Sequence, residues 1–524
     1  MIKKFDAVIV GGGIAGLTSA AFLLKYGYKV LLCEKEEKLG GLVGTFWESD
    51  FAFDWGIRAF ENSGILFPML KNLGIEMEFI SNSVSLGIEK DWIKLDSTTS
   101  IEDYALLLTK HFPSNKEDIA LIMNEIKKVM GYMEVIYGID NPLFLENMKD
   151  PKYIFKTLLP WLMNYNIKMH KAGKLTEPVN GYLHRFTDNQ ALIDVIIQHF
   201  FKKTPTFFAL SYFGLYLDYS YPVGGTGTLV SKMIEYITAH GGIIKTKSAV
   251  NKVDSINHTI EINNQETYQY NKLVWAANQR TLYQAIDTVK TKTFLNQKET
   301  IMRSVGGDSV LTIYLGCNLP KEYFAPICGA HAFYTPVIKG LSSLKSWKDL
   351  KEKEELITWV ENYLATTTYE ISCPTIRDEK LSPIGKTSVI VSTLFDYQLD
   401  LHFESIGESK LLKQICTEKI IEVLNNTIFP AWQKEILFTR CSTPLTIASK
   451  TSNVDGAITG WSFTNSTMPS ENRFKKMTQS IHTPIKDIYQ CGQWSFSPSG
   501  LPVSVLTGKL SADEIHKKLK RERL

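Results

Sequence analysis

The chain has no apolar run of about 18 or more residues, the length that a bilayer-spanning helix needs, so no spanning helix is expected. Its seven cysteines, at 33, 317, 328, 373, 416, 441 and 491, are scattered with no C-x-x-C pair. That spacing argues against a zinc site or a disulfide framework, and for a reducing compartment. The ten histidines form no H-x-x-x-H pair, so no metal-ligand set stands out. Net charge is only +3, too small an excess to argue for a nucleic-acid partner. There is no internal repeat and no low-complexity tract. The N-terminus enters a strand pattern almost at once, which leaves no room for a signal peptide and makes a cytoplasmic protein the expectation. What remains is globular in composition, 44% hydrophobic and 22% charged. Its 524 residues are too many for one ordinary core, so two domains are expected.

The informative stretch is Phe5 to Gly44. Ala7 to Val10 is a short apolar run, fit for a strand buried on both faces. Gly11, Gly13 and Gly16 follow in G-x-G-x-x-G spacing, and Ile14 to Tyr26 has helical spacing with small residues Ala15, Ala20 and Ala21. Tyr28 to Cys33 reads as a second strand, ending at Glu34. Each piece has a physical job. Gly11 allows the tight turn, Gly13 lets backbone approach a pyrophosphate, and Gly16 lets helix pack close on strand. The helix N-terminus supplies free N–H groups and partial positive charge for phosphates. Glu34, at the end of the second strand, is where a carboxylate accepts ribose hydroxyls. Strand, helix, second strand and acid in register predict dinucleotide binding. No other G-x-G-x-x-G follows a strand and opens a helix, so a second nucleotide fold is not expected.

The motif alone does not choose between NAD and FAD. Gly40-Gly41 comes just after the acid, and Phe53-Asp54-Trp55-Gly56-Ile57 follows. With these residues the chain resembles the phytoene desaturase, carotenoid isomerase and retinol saturase family of flavoproteins. Monoamine oxidases and protoporphyrinogen oxidase are more distant cousins. The resemblance continues through Tyr221-Pro222-Val223-Gly224-Gly225, Tyr369 to Phe395, Ser442 to Trp461, and the closing Ile488 to Ile515. It implies FAD, with Gly40 and Gly41 beside the diphosphate, Asp54 to Arg58 and Gly500 to Val503 near the flavin, and Val250 on the adenine through its backbone. The cofactor-binding set it implies is Gly11, Gly13, Ile14, Ala15, Gly16, Glu34, Lys35, Gly40, Gly41, Leu42, Gly56, Ile57, Arg58, Val250, Gly492, Gln493, Leu501, Pro502 and Val503. Two departures stand out. Leu42 follows the Gly-Gly pair where many desaturases have Arg, and Gln493 follows Gly492 where many have Asp. Both lean toward the saturase and isomerase branch.

The implied fold class is α/β, with a Rossmann-like FAD-binding domain built from three separated segments, plus an α+β substrate domain with a largely helical insertion. The expected boundaries are 1–84, 221–290 and 480–524 for the FAD-binding domain, 85–220 for the helical insertion and 291–479 for the substrate domain. Ile101 to Tyr137 reads as helical, with Ser114 and Glu117 as a capping box. Trp347 to Leu364 reads as a solvated mixed-charge helix, and His516 to Leu524 as a solvated basic helix end.

A flavin carries the hard chemistry itself, while the protein supplies position and polarity. No catalytic triad is required, none is found, and catalytic residues are not assigned. Cys491 reads as a buried strand cysteine rather than a point of flavin attachment. Thr206 to Tyr221 is dense in aromatics and is either plain core or the wall of a tunnel for a long apolar substrate. Pro151 to Tyr165 is either an inward-facing helix or a membrane-facing one, with Trp161 and Tyr165 at the interface and Lys152, Lys156 and Lys168 at head groups. The expected substrate is a lipophilic small molecule, a polyene or isoprenoid that is desaturated, saturated or isomerised; the electron partner is open, and peripheral membrane association is allowed. The alternative is an amine oxidase or protoporphyrinogen oxidase relative acting on a smaller, more polar substrate. A flavin-binding protein without turnover is a third possibility.

Overall fold

The computed structural model describes residues 2–523 apart from 138, 146–149 and 287. The first sheet is seven-stranded and grows around strand Lys3–Val10. Val30–Cys33 pairs parallel on one side of it, with Ala7 opposite Val30, and Glu266–Trp275 pairs parallel on the other, with Ile9 opposite Val274. Ile243–Lys245 and Ile488–Gln490 extend the parallel core, while Thr259–Ile262 and Val250–Asp254 add an antiparallel edge. Residues 7–10 and 30–33 are buried throughout, as continuous apolar strands between helical layers must be. The sheet is therefore assembled from three distant stretches of chain.

Helices Ile14–Lys25 and Leu501–Arg523 pack together over one face of this sheet. The approach is close because of glycine. A Cβ on Gly508 would stand 2.5 Å from the Ala15 carbonyl oxygen, and one on Gly16 would stand 2.0 Å from that of Gly11. Polar ties fix the long helix. Lys509 Nζ donates to Asp513 at 2.6 Å and to Tyr26 Oη at 3.0 Å, and Lys272 Nζ donates to Asp487 at 2.6 Å and to Glu522 at 2.5 Å. The basic C-terminal stretch is thus more than a solvated end: Ile515 and Leu519 are buried under its exposed cations.

The second sheet is also seven-stranded, in the order Ile436–Ser442, Ser309–Cys317, Thr387–Phe395, Tyr369–Ser372, His331–Thr335, Val84–Ile88, Asp91–Leu95. It is antiparallel except where Val84–Ile88 joins His331–Thr335 in parallel. One face packs on helices Lys353–Thr366 and Ser409–Thr427. The first of these buries Leu356, Val360 and Leu364, so its charged residues cover only its outer side. The strands at 84–95 belong to this sheet rather than to the helical insertion, because their alternating residues continue its pleat. The helical region proper begins at Ser100. It comprises Ser100–His111, Lys116–Tyr137, Leu159–Ala172, Val179–Leu183, Gln190–Ile197 and Thr206–Tyr216. Ser114 lies in a 3-10 turn, Pro113–Asn115, that leads into the second helix, so the expected capping position falls inside a turn. No helix among the described residues is long and apolar enough to cross a membrane.

The packing of the two long helices gives a stability test. Gly508→Val forces side-chain atoms into the Ala15 carbonyl and the Thr18 side chain and should destabilise the protein by about 1–3 kcal/mol. The midpoint of a denaturant melt should fall accordingly; an unchanged midpoint would mean that the helices are not held this close.

Candidate functional site

A cavity of about 1250 Å³ runs between the two sheets. Its polar arm follows the strand ends of the first sheet. Gly11 turns with φ +106°, and the Gly40 N–H donates to the Gly12 carbonyl at 2.8 Å, closing the glycine loop over the start of helix Ile14–Lys25. Glu34 lies at the far end, with Oε2 accepting from Gly12 N–H at 2.7 Å and Oε1 from Glu36 N–H at 2.9 Å. Of the nineteen residues named from the sequence, all but Gly16 line this cavity. Gly16 is buried behind it, where it sets the helix against the Gly11 turn. The N-terminus of the 23-residue helix Leu501–Arg523 also opens here, with Leu501, Pro502 and Val503 on the wall. Two helix N-termini therefore direct N–H groups and partial positive charge at one cavity.

The aromatic arm lies toward the second sheet and the helical region. Phe208, Tyr212, Leu215 and Tyr216 border it from helix Thr206–Tyr216, and Tyr219 borders it from the next strand. The sequence left this stretch between core and tunnel wall; the helix contributes to the core through Phe207, Leu210 and Phe213, which are buried, and borders the cavity through Phe208, Tyr212, Leu215 and Tyr216. Trp161 and Tyr165 also line the arm, and the Trp161 indole donates to the Val135 carbonyl at 2.6 Å. They are therefore not the outward face of their helix. That face carries Phe155, Leu159, Leu162, Met163 and Ile167, all exposed.

Between the arms is a buried polar lattice. Asp54 is fully buried. Its Oδ1 accepts from Thr45 Oγ1 at 2.7 Å and from Thr226 N–H and Oγ1, both at 2.9 Å, and its Oδ2 accepts from Tyr221 Oη at 2.7 Å. Arg58 donates to the Asp54 and Gly56 carbonyls, each at 2.5 Å, and to Ser392 Oγ at 3.0 Å. Arg377 donates to Asn82 Oδ1 at 2.8 Å and to the Arg58 carbonyl at 3.2 Å. An arginine only donates, so the amide nitrogen of Asn82 is turned toward His331 Nδ1, 3.2 Å away. Nδ1 then accepts, and Nε2–H donates to Glu370 Oε1 at 2.9 Å. Burial lowers the His331 imidazole, in keeping with this neutral tautomer. Burial also works to raise the Glu370 carboxyl, but the His331 hydrogen bond and the Arg58 and Arg377 charges outweigh it and hold the group below its ordinary range.

Four titratable residues on the aromatic arm were missed from sequence: Glu61, His199, His331 and Glu370. They come from four separate elements. The one available signal was polarity at alternate positions of otherwise apolar strands, H-A-F-Y-T and Y-E-I-S, where His331 and Glu370 take the cavity face.

Residues 9–73 match the model of an NAD(P)-binding Rossmann-like domain. The chain is 23% identical to the chloroplastic prolycopene isomerase of Daucus carota, covering 85% of this chain and 70% of that protein. It is 23% identical to the all-trans-retinol 13,14-reductase of Danio rerio, covering 94% and 82%. Among solved structures, putrescine oxidase bound to putrescine superposes with a TM-score of 0.61 at 15% identity, over 98% of this chain and 99% of that one, which shows the shared fold. The chain is thus similar over most of its length to a prolycopene isomerase and an all-trans-retinol 13,14-reductase, and it shares its fold with putrescine oxidase. The polar arm is the stretch to test first. Glu34→Ala removes a charged acceptor at the end of that arm and should weaken flavin retention by about 1.5–3 kcal/mol. Flavin fluorescence released on dilution measures this; identical retention in the variant would take Glu34 out of the site.

Proposed function

We propose that the cavity binds FAD in its polar arm and an extended lipophilic polyene or isoprenoid in its aromatic arm, and that the chain oxidises, reduces or isomerises carbon–carbon bonds of that substrate. The observation that carries the reading is the continuity of the two arms: a glycine-lined, helix-capped groove opens directly into an aromatic one. The residues present fit FAD. Gly13 has open space where a Cβ would stand, which leaves its backbone free for close approach to a diphosphate, and the Glu34 carboxylate is already oriented by two backbone N–H groups. FAD, when bound, supplies hydride exchange at its N5. The chain's part is placement. Arg58 and Asp54 hold the Asp54–Arg58 loop rigid, so the Gly56 and Ile57 wall has one shape. The aromatic arm excludes water and aligns an apolar chain by contact, as sites for apolar ligands do. The polyene-related names of the two relatives above support this substrate class.

One observation favours the second reading, a smaller amine. Carboxyls at Glu61 and Glu370 among tyrosines resemble what a cation needs. An anaerobic experiment separates the two. Oxidised protein is mixed with polyenes and then with amines while flavin absorbance is followed; dithionite-reduced protein is then examined for saturated or isomerised products. The expected result is a change with a polyene in one of these arms. Rapid bleaching by amines, with no response to any polyene, would move the protein to the second reading.

We also propose that the helix spanning Leu159–Ala172 rests on a membrane surface. Its exposed residues Leu159, Leu162, Met163 and Ile167 form an apolar stripe that Phe155 extends from the preceding turn Ile154–Leu158, Lys152 and Lys156 are exposed beside it, and its inner side lines the cavity. An apolar substrate would then pass from lipid to cavity around one helix. Leu162→Asp with Met163→Asp should sharply reduce co-sedimentation with anionic liposomes. Wild-type protein that never pellets with liposomes of any charge would remove the idea.

A further inference from the structure

The aromatic arm is not apolar throughout. At one pole it gathers Glu61 from strand Phe60–Glu61, Tyr212 and Tyr216 from helix Thr206–Tyr216, Tyr219 from the following strand, and His199, His331 and Glu370. Most of these groups are partnered. His331 bridges Asn82 and Glu370, its ring stacks on Tyr219 with centroids 5.6 Å apart, and His199 Nε2 lies 3.1 Å from Tyr216 Oη. Glu61 differs. Among the described residues its carboxyl is bonded only to its own backbone, with no ion pair and no side-chain partner, and it borders the cavity. A carboxyl left open at the end of an aromatic tunnel has no structural task in the fold.

We propose that this pole is a subsite for a neutral oxygen terminus of the substrate, a hydroxyl or carbonyl at one end of its apolar chain, and that Glu61 is the residue that selects it. The inference rests on the lipophilic-substrate reading above and narrows it. A pure hydrocarbon would bury Glu61 and the tyrosine hydroxyls with nothing to bond, and a site built to hydrogen-bond an oxygen discriminates strongly against an analogue that lacks it. A carboxylate would meet Asp218, whose charge acts on Glu61, and Glu370, which acts with Glu61 on Tyr212 and Tyr219. A cation finds Glu370 already committed to His331, Arg58 and Arg377. Glu61 itself keeps its proton into the near-neutral range: burial first, and then the Asp218 charge, push its carboxyl up to about 7. The other groups facing it are weakly charged or neutral. Burial raises Tyr212, Tyr216 and Tyr219, lowers His331 and pulls His199 down to about 4. The neutral carboxyl donates to a ligand oxygen below its titration and loses that proton above it.

Four ligands of one chain length test this on the wild-type holoprotein by calorimetry: geranylgeraniol, its aldehyde, its primary amine, and the hydrocarbon without the heteroatom. At about pH 6 the alcohol and aldehyde should bind about tenfold tighter than the hydrocarbon. The aldehyde, which only accepts, should lose this advantage by about pH 8 as Glu61 ionises, while the alcohol, which can also donate, should keep it. Glu61→Leu should erase both advantages, and Glu61→Gln should preserve them at both pH values. Oxygen-ended ligands that bind wild type no better than the hydrocarbon would overturn the subsite and leave the lipophilic reading intact. An amine that binds tightest, more so at higher pH, and is lost in Glu61→Gln would show a cation anchor instead. Flavin-loaded protein that binds none of the isoprenoids would overturn the lipophilic reading, and the subsite with it.

Discussion

The buried carboxylate of Asp54 is the constraint on which the rest of the site depends. Removing an ion from water costs several kcal/mol unless its lone pairs are satisfied, and Asp54 is satisfied from two stretches of chain, its own hairpin and one 167 to 172 residues away. Thr45 comes from the nucleotide-binding segment, while Tyr221 and Thr226 come from the return into the first sheet. The lattice then passes through Arg58 to Ser392 and through Arg377 to Asn82, which reach the second sheet and its junction with the first. Arg377 also lies over the Tyr221 ring, 4.3 Å from its centroid. A buried charge that one segment cannot satisfy alone holds the two sheets at one separation, and that separation is the cavity.

This explains how one cavity has two characters. Its polar arm is made of what the first sheet exposes at its strand ends: glycine backbone, helix N-termini and one acid. Its aromatic arm is made of what the second sheet and the helical region turn inward: tyrosines, Phe208, Phe333 and a few polar groups on alternate strand positions. Strand pairing places Phe333 opposite Glu370 and Ser392 on the other side of Glu370, so one aromatic and two polar groups lie side by side on the cavity wall. Such a wall suits the proposed substrate, a chain apolar along its length and hydrogen-bonding at one end.

The same logic governs the helix at the cavity edge. Its inner residues Trp161 and Tyr165 touch the cavity, and their rings lie 5.0 Å apart. Its outer residues are as apolar as its inner ones. A helix apolar on both sides has two surfaces to satisfy, and the fold supplies only one of them.

Much of this was legible in the sequence because the nucleotide-binding half is written locally. Gly11 to Glu34 encodes turn, helix and strand within about thirty residues; Gly11, Gly12 and Gly16 stand where a Cβ would be obstructed, and Gly13 where the backbone is left open. The three-segment assembly of the first sheet also followed, because each returning segment carries its own apolar strand and turn signals. What the sequence could not show is which side of an amphipathic or doubly apolar element meets the cavity. Trp161 and Tyr165 carry the same chemistry whether they face lipid or ligand, and only packing against Val135 chose between them. The 84–95 strands gave their alternation but not their partner, since register and neighbour are set by hydrogen bonds to residues some 250 positions away. The polar pole was hidden for the same reason. Glu61, His199, His331 and Glu370 are unremarkable in their own segments, and they become one site only when four elements converge, where burial pushes Glu61 up and the two histidines down while His331 and the arginines hold Glu370 low.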